Sequence, residues 1–339
     1  MSKERPVGDK PEQPRRLTMA DLARMAGVSP ITVSRAMADS PRVHERTKAR
    51  IQGLAREHGY AMNVSARNLR LRQSHTIAVL VEMTPSAERP MSGSYPLDLL
   101  GGITQELTAA GYSLLLSAGH ESTPGPPRGA EGVILLGQGA GGAAVGEAEA
   151  WRLPLVVWGA VSADDPHVVV GSDNRGGGAA VARRFIELGR TRPCFLGDLA
   201  YQENAERFAG FRAELNRNGL EPLLVNQADF TTRAGSDAMR GLLASDERSR
   251  PDAVFACNDL MAIGAIQAIR EFGLSIPDHI TVVGYDDTAL GAGMVPALTT
   301  VHQDLYQGGI LLARKVLQRI HGDEVESEMM PVEIVIRES

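Results

Sequence analysis

The 339-residue chain is poor in cysteine, in long apolar runs and in catalytic signatures. Two cysteines, Cys194 and Cys257, supply neither a disulfide framework nor a CxxC pair, and a reducing cytoplasm fits that usage. No run reaches the length of a membrane-spanning helix; the greasiest stretch, Leu153 to Val161, is broken by Pro154. The opening residues MSKERPVGDKPEQPRR lack the apolar core of a secretory signal. There is no GxxxxGK(S/T), HExxH or GxSxG, no Cys/His metal spacing and no nucleophile–base pair visible by spacing. Neither an enzyme nor a metal or cofactor site is expected.

What is present is an uneven charge. The net −6 divides into 15 Lys/Arg against 7 Asp/Glu up to residue 75, a balance of +8, and −14 over the remainder. A basic head on an acidic body implies two surfaces with different partners, a polyanion for the head first among them. A functionless solvated asymmetry gives the same count.

Residues 1–16 combine three prolines with alternating charge and read as a disordered tail. From residue 17 to 62 the pattern becomes helical. Thr18 is a good N-cap for a helix carrying Leu22, Ala23 and Ala26 on one face. Gly27 supplies a turn, and Ser29 caps a second helix with Pro30 at its first position. A third helix spans about His44 to His58, with Ile51, Leu54 and Ala55 inward. Two short helices joined by a glycine turn and closed by a third form a helix-turn-helix, whose second helix enters the major groove. Arg35 is placed on a guanine, whose O6 and N7 match its fork. The hydroxyls of Ser29, Thr32, Ser34 and Thr47 suit phosphates. An ordinary three-helix bundle with a basic face shares this pattern.

Asn63 to Arg70 has the makings of two helical turns, capped by Asn63 or Ser65, and is too short to be stable alone. Residues 63–73 are expected to be a hinge. From residue 74 to 339 short apolar runs alternate with helical patterns. Nine strands are expected, among them Ile77–Val81, Leu114–Ser117, Val133–Leu136, Ala253–Cys257 and Thr281–Val283. Such alternation predicts an α/β body of two lobes built on parallel sheets, with ligand in the cleft at the strand carboxyl ends.

The run LTMADLARMAGVSPITVSRAM, followed by RTKARIQGLAREHGYAMN and SARNLR, resembles the headpiece of LacI/GalR transcription regulators. The body is similar to that family's core, itself related to periplasmic sugar-binding proteins, through SDN (Ser172–Asn174), ERFAGF (Glu206–Phe211), ADFTTRAG (Ala228–Gly235), FACNDLMAIGA, GYDD and PALTTVHQD. Three departures stand out. His44 replaces the usual Ser or Thr cap, and His58 a packing Leu. The segment between Ser117 and Gly132 is too short for its usual crossover helix, which leaves part of the first lobe uncovered.

The resemblance implies a sequence-specific repressor of carbohydrate-utilisation genes, a homodimer on a palindromic double-stranded operator, controlled by a sugar-like effector between the lobes. Thr18 falls among the DNA-facing positions, and Pro30 and Ile31 on two variable base-reading ones, where apolar contact replaces hydrogen bonding. Leu69 matches a leucine that wedges into the minor groove, with Asn63, Ala66 and Arg70 on the same hinge helix. Arg207 and Asp286 match the arginine and acid that grip the effector, Asn258 a pocket amide, and Phe230 a stacking ring. Tyr95, Trp158 and Tyr201 fall at strand ends that line the same cleft. Asp173 and Asp259 are read as helix caps. The sequence closes on VEIVIRES (Val332–Ser339) with no leucine-heptad pattern, so a dimer rather than a tetramer is expected.

Two rival readings exist. Gly137, Gly139 and Gly142 form GxGxxG after a strand, the spacing of a nucleotide-cofactor enzyme, but in a chain with 36 glycines and mid-lobe. A sugar-binding transport receptor shares the body, yet not the basic head or the absent signal.

Overall fold

The computed structural model describes residues 17–60 and 74–339, apart from residues 84, 85, 88, 119–124, 126, 163 and 228. The tail and the hinge residues Asn63, Ala66, Leu69 and Arg70 lie outside the described residues. The chain divides into two compact units at Gln73/Ser74.

In the first unit, α1 (Met19–Met25) starts at a capping box: Thr18 Oγ1 accepts from Asp21 N, and Asp21 accepts from Thr18 N. Gly27 turns the chain at φ +60°. Helix α2 (Pro30–Met37) starts at Ser29, whose Oγ accepts from Thr32 N at 3.2 Å. Helix α3 (Glu45–Glu57) is capped by His44, whose Nδ1 accepts from Arg46 N at 3.3 Å. The imidazole thus does the work of the hydroxyl it replaces, while His58 sits exposed at the far end, where no packing residue is needed. Leu22, Val33 and Ile51 are fully buried at the centre, each contributing about 1.5–3 kcal/mol by burial. Arg50 donates to the Ala26 carbonyl and Gln52 Nε2 to the Ala36 carbonyl, so α3 ties down the ends of both other helices.

The second unit contains two six-stranded sheets. The strands in chain order are β1 (Thr76–Val81), β2 (Ser113–Ala118), β3 (Gly132–Leu136), β4 (Leu155–Trp158), β5 (Val168–Ser172), β6 (Pro193–Leu196), β7 (Leu223–Val225), β8 (Ala253–Ala256), β9 (Thr281–Tyr285), β10 (Thr299–His302), β11 (Glu328–Met330) and β12 (Glu333–Val335). Their spatial orders are β11-β5-β4-β3-β1-β2 and β12-β10-β9-β8-β6-β7. Every pairing is parallel except β10 with β12. The chain therefore crosses between the lobes after β5, after β10 and between β11 and β12.

The helices are α4 (Ser94–Ala109), α5 (Ala143–Ala150), α6 (Asn174–Glu187), α7 (Gln202–Arg217), α8 (Thr232–Leu243), α9 (Asp259–Glu271), α10 (Ala289–Ala292) and α11 (Leu305–His321). Three helix pairs, α4 with α11, α6 with α7 and α8 with α9, make the tightest helix contacts. Each pair meets through two glycines. A Cβ at Gly102 would overlap the Tyr306 carbonyl, and one at Gly309 the Leu99 carbonyl. Gly178 and Gly210 face the carbonyls of Arg207 and Arg175; Gly235 and Gly264 face those of Met261 and Thr232. Mid-helix glycine costs roughly 0.5–1 kcal/mol against alanine, and backbone-to-backbone packing offsets it here.

The edge strand β2 is the thinly covered part of the first lobe. No helix lies between β2 and β3 among the described residues, and Leu115 and Leu116 stay 44% and 45% exposed.

Candidate functional site

In the head, the exposed face of α2 carries the residues expected to read DNA. Ile31 is 59% exposed, beside exposed Pro30 and Arg35, on a helix whose other face buries Val33 and Ala36. Arg35 is exposed, and its guanidinium makes no ion pair or hydrogen bond among the described residues, which leaves its five donors for a partner. Ser29 Oγ and Thr32 Oγ1 lie 2.9 Å apart. The Thr18 hydroxyl is engaged by Asp21. These hydroxyls hold helix starts, and Ser34 and Thr47 are half-buried.

In the body a cavity of about 390 Å³ lies between the sheets, lined by residues just past the strand ends: Glu82 after β1, Gly137 after β3, Ser172 closing β5, Cys257 after β8 and Asp286 after β9. Arg207, Asp286, Asn258, Phe230, Tyr95, Trp158 and Tyr201 all line it. Arg207 rises from α7 and is 8% exposed. Its Nε donates to Asn174 Oδ1 at 2.8 Å, a terminal nitrogen to the Cys257 carbonyl at 2.5 Å, and its plane stands 3.6 Å above the Tyr285 ring. One ring and two acceptors fix the guanidinium while part of its fork faces the cavity. Asp286 accepts from Gln303 Nε2 at 2.6 Å. Burial pushes its carboxyl up to about 7, against the downward pull of Arg207. Its φ is +112° and that of Asp287 +55°, two consecutive side chains in backbone that favours glycine. Glu203, in the first turn of α7, is likewise pushed up by burial.

The aromatic residues divide. Phe230 packs edge-to-face with Tyr201, centroids 4.8 Å apart, and Arg89 lies 5.1 Å over its ring. Trp158 is 3% exposed and packs where a Gly308 side chain would stand, so it is mainly core with one edge on the cavity. Tyr95 lines the wall, its phenol pushed up by burial.

One assignment is extended and one corrected. Asn258, expected as a pocket amide that donates and accepts, lines the cavity and is also the N-cap of α9: its Oδ1 accepts from Met261 N at 2.9 Å and its Nδ2 donates to the Phe230 carbonyl. Asp259, expected as a cap, is fully buried and accepts from Thr288 N, Thr288 Oγ1 and Thr300 Oγ1. Asp173 does cap α6, accepting from Gly176 N.

Residues 18–63 match the family model of bacterial regulatory proteins, lacI family, and residues 182–339 a periplasmic binding protein-like domain. The chain is 31% identical to the HTH-type transcriptional regulator CelR of Thermobifida fusca, over 97% of this chain and 99% of that one. It is 30% identical to the ribose operon repressor of Escherichia coli K12, over 95% and 98%. The chain belongs to the LacI family. Among solved structures, the lac repressor dimer bound to operator and the anti-inducer ONPF superposes with a TM-score of 0.83, 26% identity and coverage of 96% and 99%.

As a LacI-family member this is a sequence-specific DNA-binding transcriptional regulator and not an enzyme. The glycine loop supports that. Gly137, Gly139 and Gly142 take φ of +96°, +75° and +76°, but the chain's own carboxylate stands beside the first two: a Cβ at Gly139 would lie 3.3 Å from Glu82 Oε1. A carboxylate there repels the phosphates a dinucleotide fingerprint cradles. Gly141 N donates instead to the Ala200 carbonyl across the cleft, at 2.8 Å. No described helix is long and apolar enough to cross a membrane.

The site residues that sequence reasoning missed are Ser172, Asn174, Tyr285, Gln303, Glu82, Glu203 and Arg89. Four of them lie inside SDN, GYDD and HQD, runs that were conspicuous for other members; Glu82, Glu203 and Arg89 carry no such signal.

Proposed function

We propose that this LacI-family regulator is a cytoplasmic homodimeric repressor of carbohydrate-use genes, binding a palindromic operator and answering to a small sugar-like effector in the cleft. The observation that carries the reading is the cavity itself, where a stacked, half-committed arginine and a strained acid line the same wall. A polyol supplies both acceptors for Arg207 and donors for Asp286, and Phe230 with Tyr201 offers an apolar face to a ring. The relatives support the same class: one solved structure, at 28% identity and a TM-score of 0.68, is a CelR–cellobiose complex. Residues 17–62 then read DNA, 63–73 with Leu69, Asn63, Ala66 and Arg70 act as the hinge, and 74–339 sense. An effector alters operator affinity only if it binds two lobe arrangements unequally.

A thermal-shift panel of D-ribose, D-glucose, cellobiose and D-galacturonate tests the cleft. At least one should raise the melting temperature of the wild-type chain, and Arg207→Ala should lose that rise. A rise that survives Arg207→Ala takes the ligand out of this cavity.

On the DNA side, Arg35→Ala should cost about 1–3 kcal/mol on the operator selected by the wild-type protein and far less on random duplex. An equal loss on both would make Arg35 a phosphate contact.

A further inference from the structure

The residues from Thr300 to Gln303 touch the cleft and a lobe crossover at the same time. Thr300 Oγ1 donates to Asp259 Oδ1 at 2.6 Å and accepts from Asp287 N at 3.4 Å. His302 Nδ1 lies 3.1 Å from Asp287 Oδ2. Gln303 Nε2 donates to Asp286 Oδ1 at 2.6 Å. One strand end thus holds the strained turn at Asp286 and Asp287 in place. Gln303 is 3% exposed, and its other amide atom, Oε1, accepts from Ser172 Oγ at 2.7 Å.

The two ends of that amide reach different lobes. Ser172 closes β5 in the first sheet, and Asp286 follows β9 in the second. Gln303 itself stands on the crossover from β10 to α11, which carries the chain back to the first lobe. The amide head supplies a donor and an acceptor in one plane, as the bridge needs. Glutamate there would set a carboxylate against Asp286, and leucine would leave the buried Ser172 hydroxyl without its acceptor and the cavity-facing Asp286 oxygen without its donor.

We propose that Gln303 is the positioning residue that transmits contact at Asp286 to the angle between the lobes. Its role in sensing rests on the reading of Asp286 as an effector acid, but the bridge is testable without any ligand. A hydroxyl arriving at Asp286 competes for the oxygen that Gln303 holds. The amide then turns or lets go, Ser172 loses its acceptor, and the crossover is released from one lobe. Tightening of the same bond has the opposite sense.

The test is an electron spin-echo distance measurement on ligand-free full-length protein labelled at Glu147→Cys on α5 and Asn216→Cys on α7. Both positions are exposed, whereas Cys194 and Cys257 are buried and stay unlabelled. Labelled chains are diluted into an excess of unlabelled protein so that only distances within one chain are read. Wild type and Asp286→Asn, which keeps an acceptor for Gln303, should share one lobe-to-lobe distance. Gln303→Leu and Asp286→Ala should each change the ratio of the two lobe arrangements by about fivefold or more, and the double variant no further.

Additive shifts would make Gln303 ordinary packing and overturn the proposal, as would wild-type distances in Gln303→Leu. Should Gln303→Leu fail to fold, Ser172→Ala, which removes one hydroxyl, carries the same expected shift and is overturned by an unchanged distance. The sugar panel fails separately: if no sugar binds the wild-type chain, the cleft reading falls while the distance result stands.

Discussion

Asp286→Asn should melt several degrees above the wild-type chain at pH 8, match it at pH 4, and give no thermal shift with a sugar that stabilises the wild type. The cause is the carboxyl raised from its ordinary 3.8 to about 7, chiefly by burial. Below about pH 4 the group is protonated in both folded and unfolded chains and contributes no difference. Between about 4 and 7 the unfolded chain releases the proton while the folded one keeps it, so stability falls as pH rises. Above 7 the full cost persists, about 2–4 kcal/mol, since each tenfold change in proton affinity is worth roughly 1.4 kcal/mol. Asparagine imitates the protonated form at every pH and still accepts from Gln303. Asp259, raised to about 6 for the same reason, adds a background slope common to both proteins, so the difference between them is the quantity to measure. Sugar hydroxyls favour the ionised acid, and wild-type sugar affinity should therefore climb from pH 6 to pH 8. Equal melting differences at pH 4 and pH 8 would mean that the Asp286 carboxyl does not set the pH dependence.

The cost at Asp286 is of the kind a binding site retains. On the proposed role of Asp286 as the effector acid, the same burial and the same strained φ leave an acceptor to be satisfied by a donor-rich ligand, and stability lost by the free protein returns as affinity.

Much of the architecture was legible because it is local. The three head helices follow from caps and from Leu22, Val33 and Ile51 at helical spacing, and all nine expected strands are present, most of them as continuous buried apolar runs. Strand β10 escaped notice because Thr299 and Thr300 are polar; they are buried through hydrogen bonds to the C-terminal residues and to Asp259. β11 and β12 are three residues each, too short for a period. At the cleft, Arg207, Asp286 and Phe230 were reachable from their motifs. The inward turn of Asp259 was not, since either Asn258 or Asp259 makes a good cap and only the position of Thr288 and Thr300 holds Asp259 inside. Gln303 and Ser172 are 131 residues apart, and nothing local in either neighbourhood announces the other.

Nor was the purpose of the helical glycines legible, and they lead to the second large effect. Gly178→Ala and Gly210→Ala should each destabilise the body by about 1–3 kcal/mol, although alanine is the better helix former. A Cβ at Gly178 falls on the Arg207 carbonyl and one at Gly210 on the Arg175 carbonyl, and backbone cannot move aside as a side chain does. Helices α6 and α7 must separate, and Arg207 moves with α7. Its hydrogen bond to Asn174, which stands on α6, is then stretched, so sugar-dependent stabilisation should fall together with the melting temperature. Two controls isolate the cause. Gly102→Ala, against the Tyr306 carbonyl in the first lobe, should cost comparable stability and leave Arg207 on its ring, with sugar binding retained. Gly241→Ala lies on an exposed stretch of α8 with open space around its would-be Cβ, and should raise stability by about 0.5–1 kcal/mol. If Gly210→Ala behaved like Gly241→Ala, the backbone contact between α6 and α7 would not be what holds the arginine over the cleft.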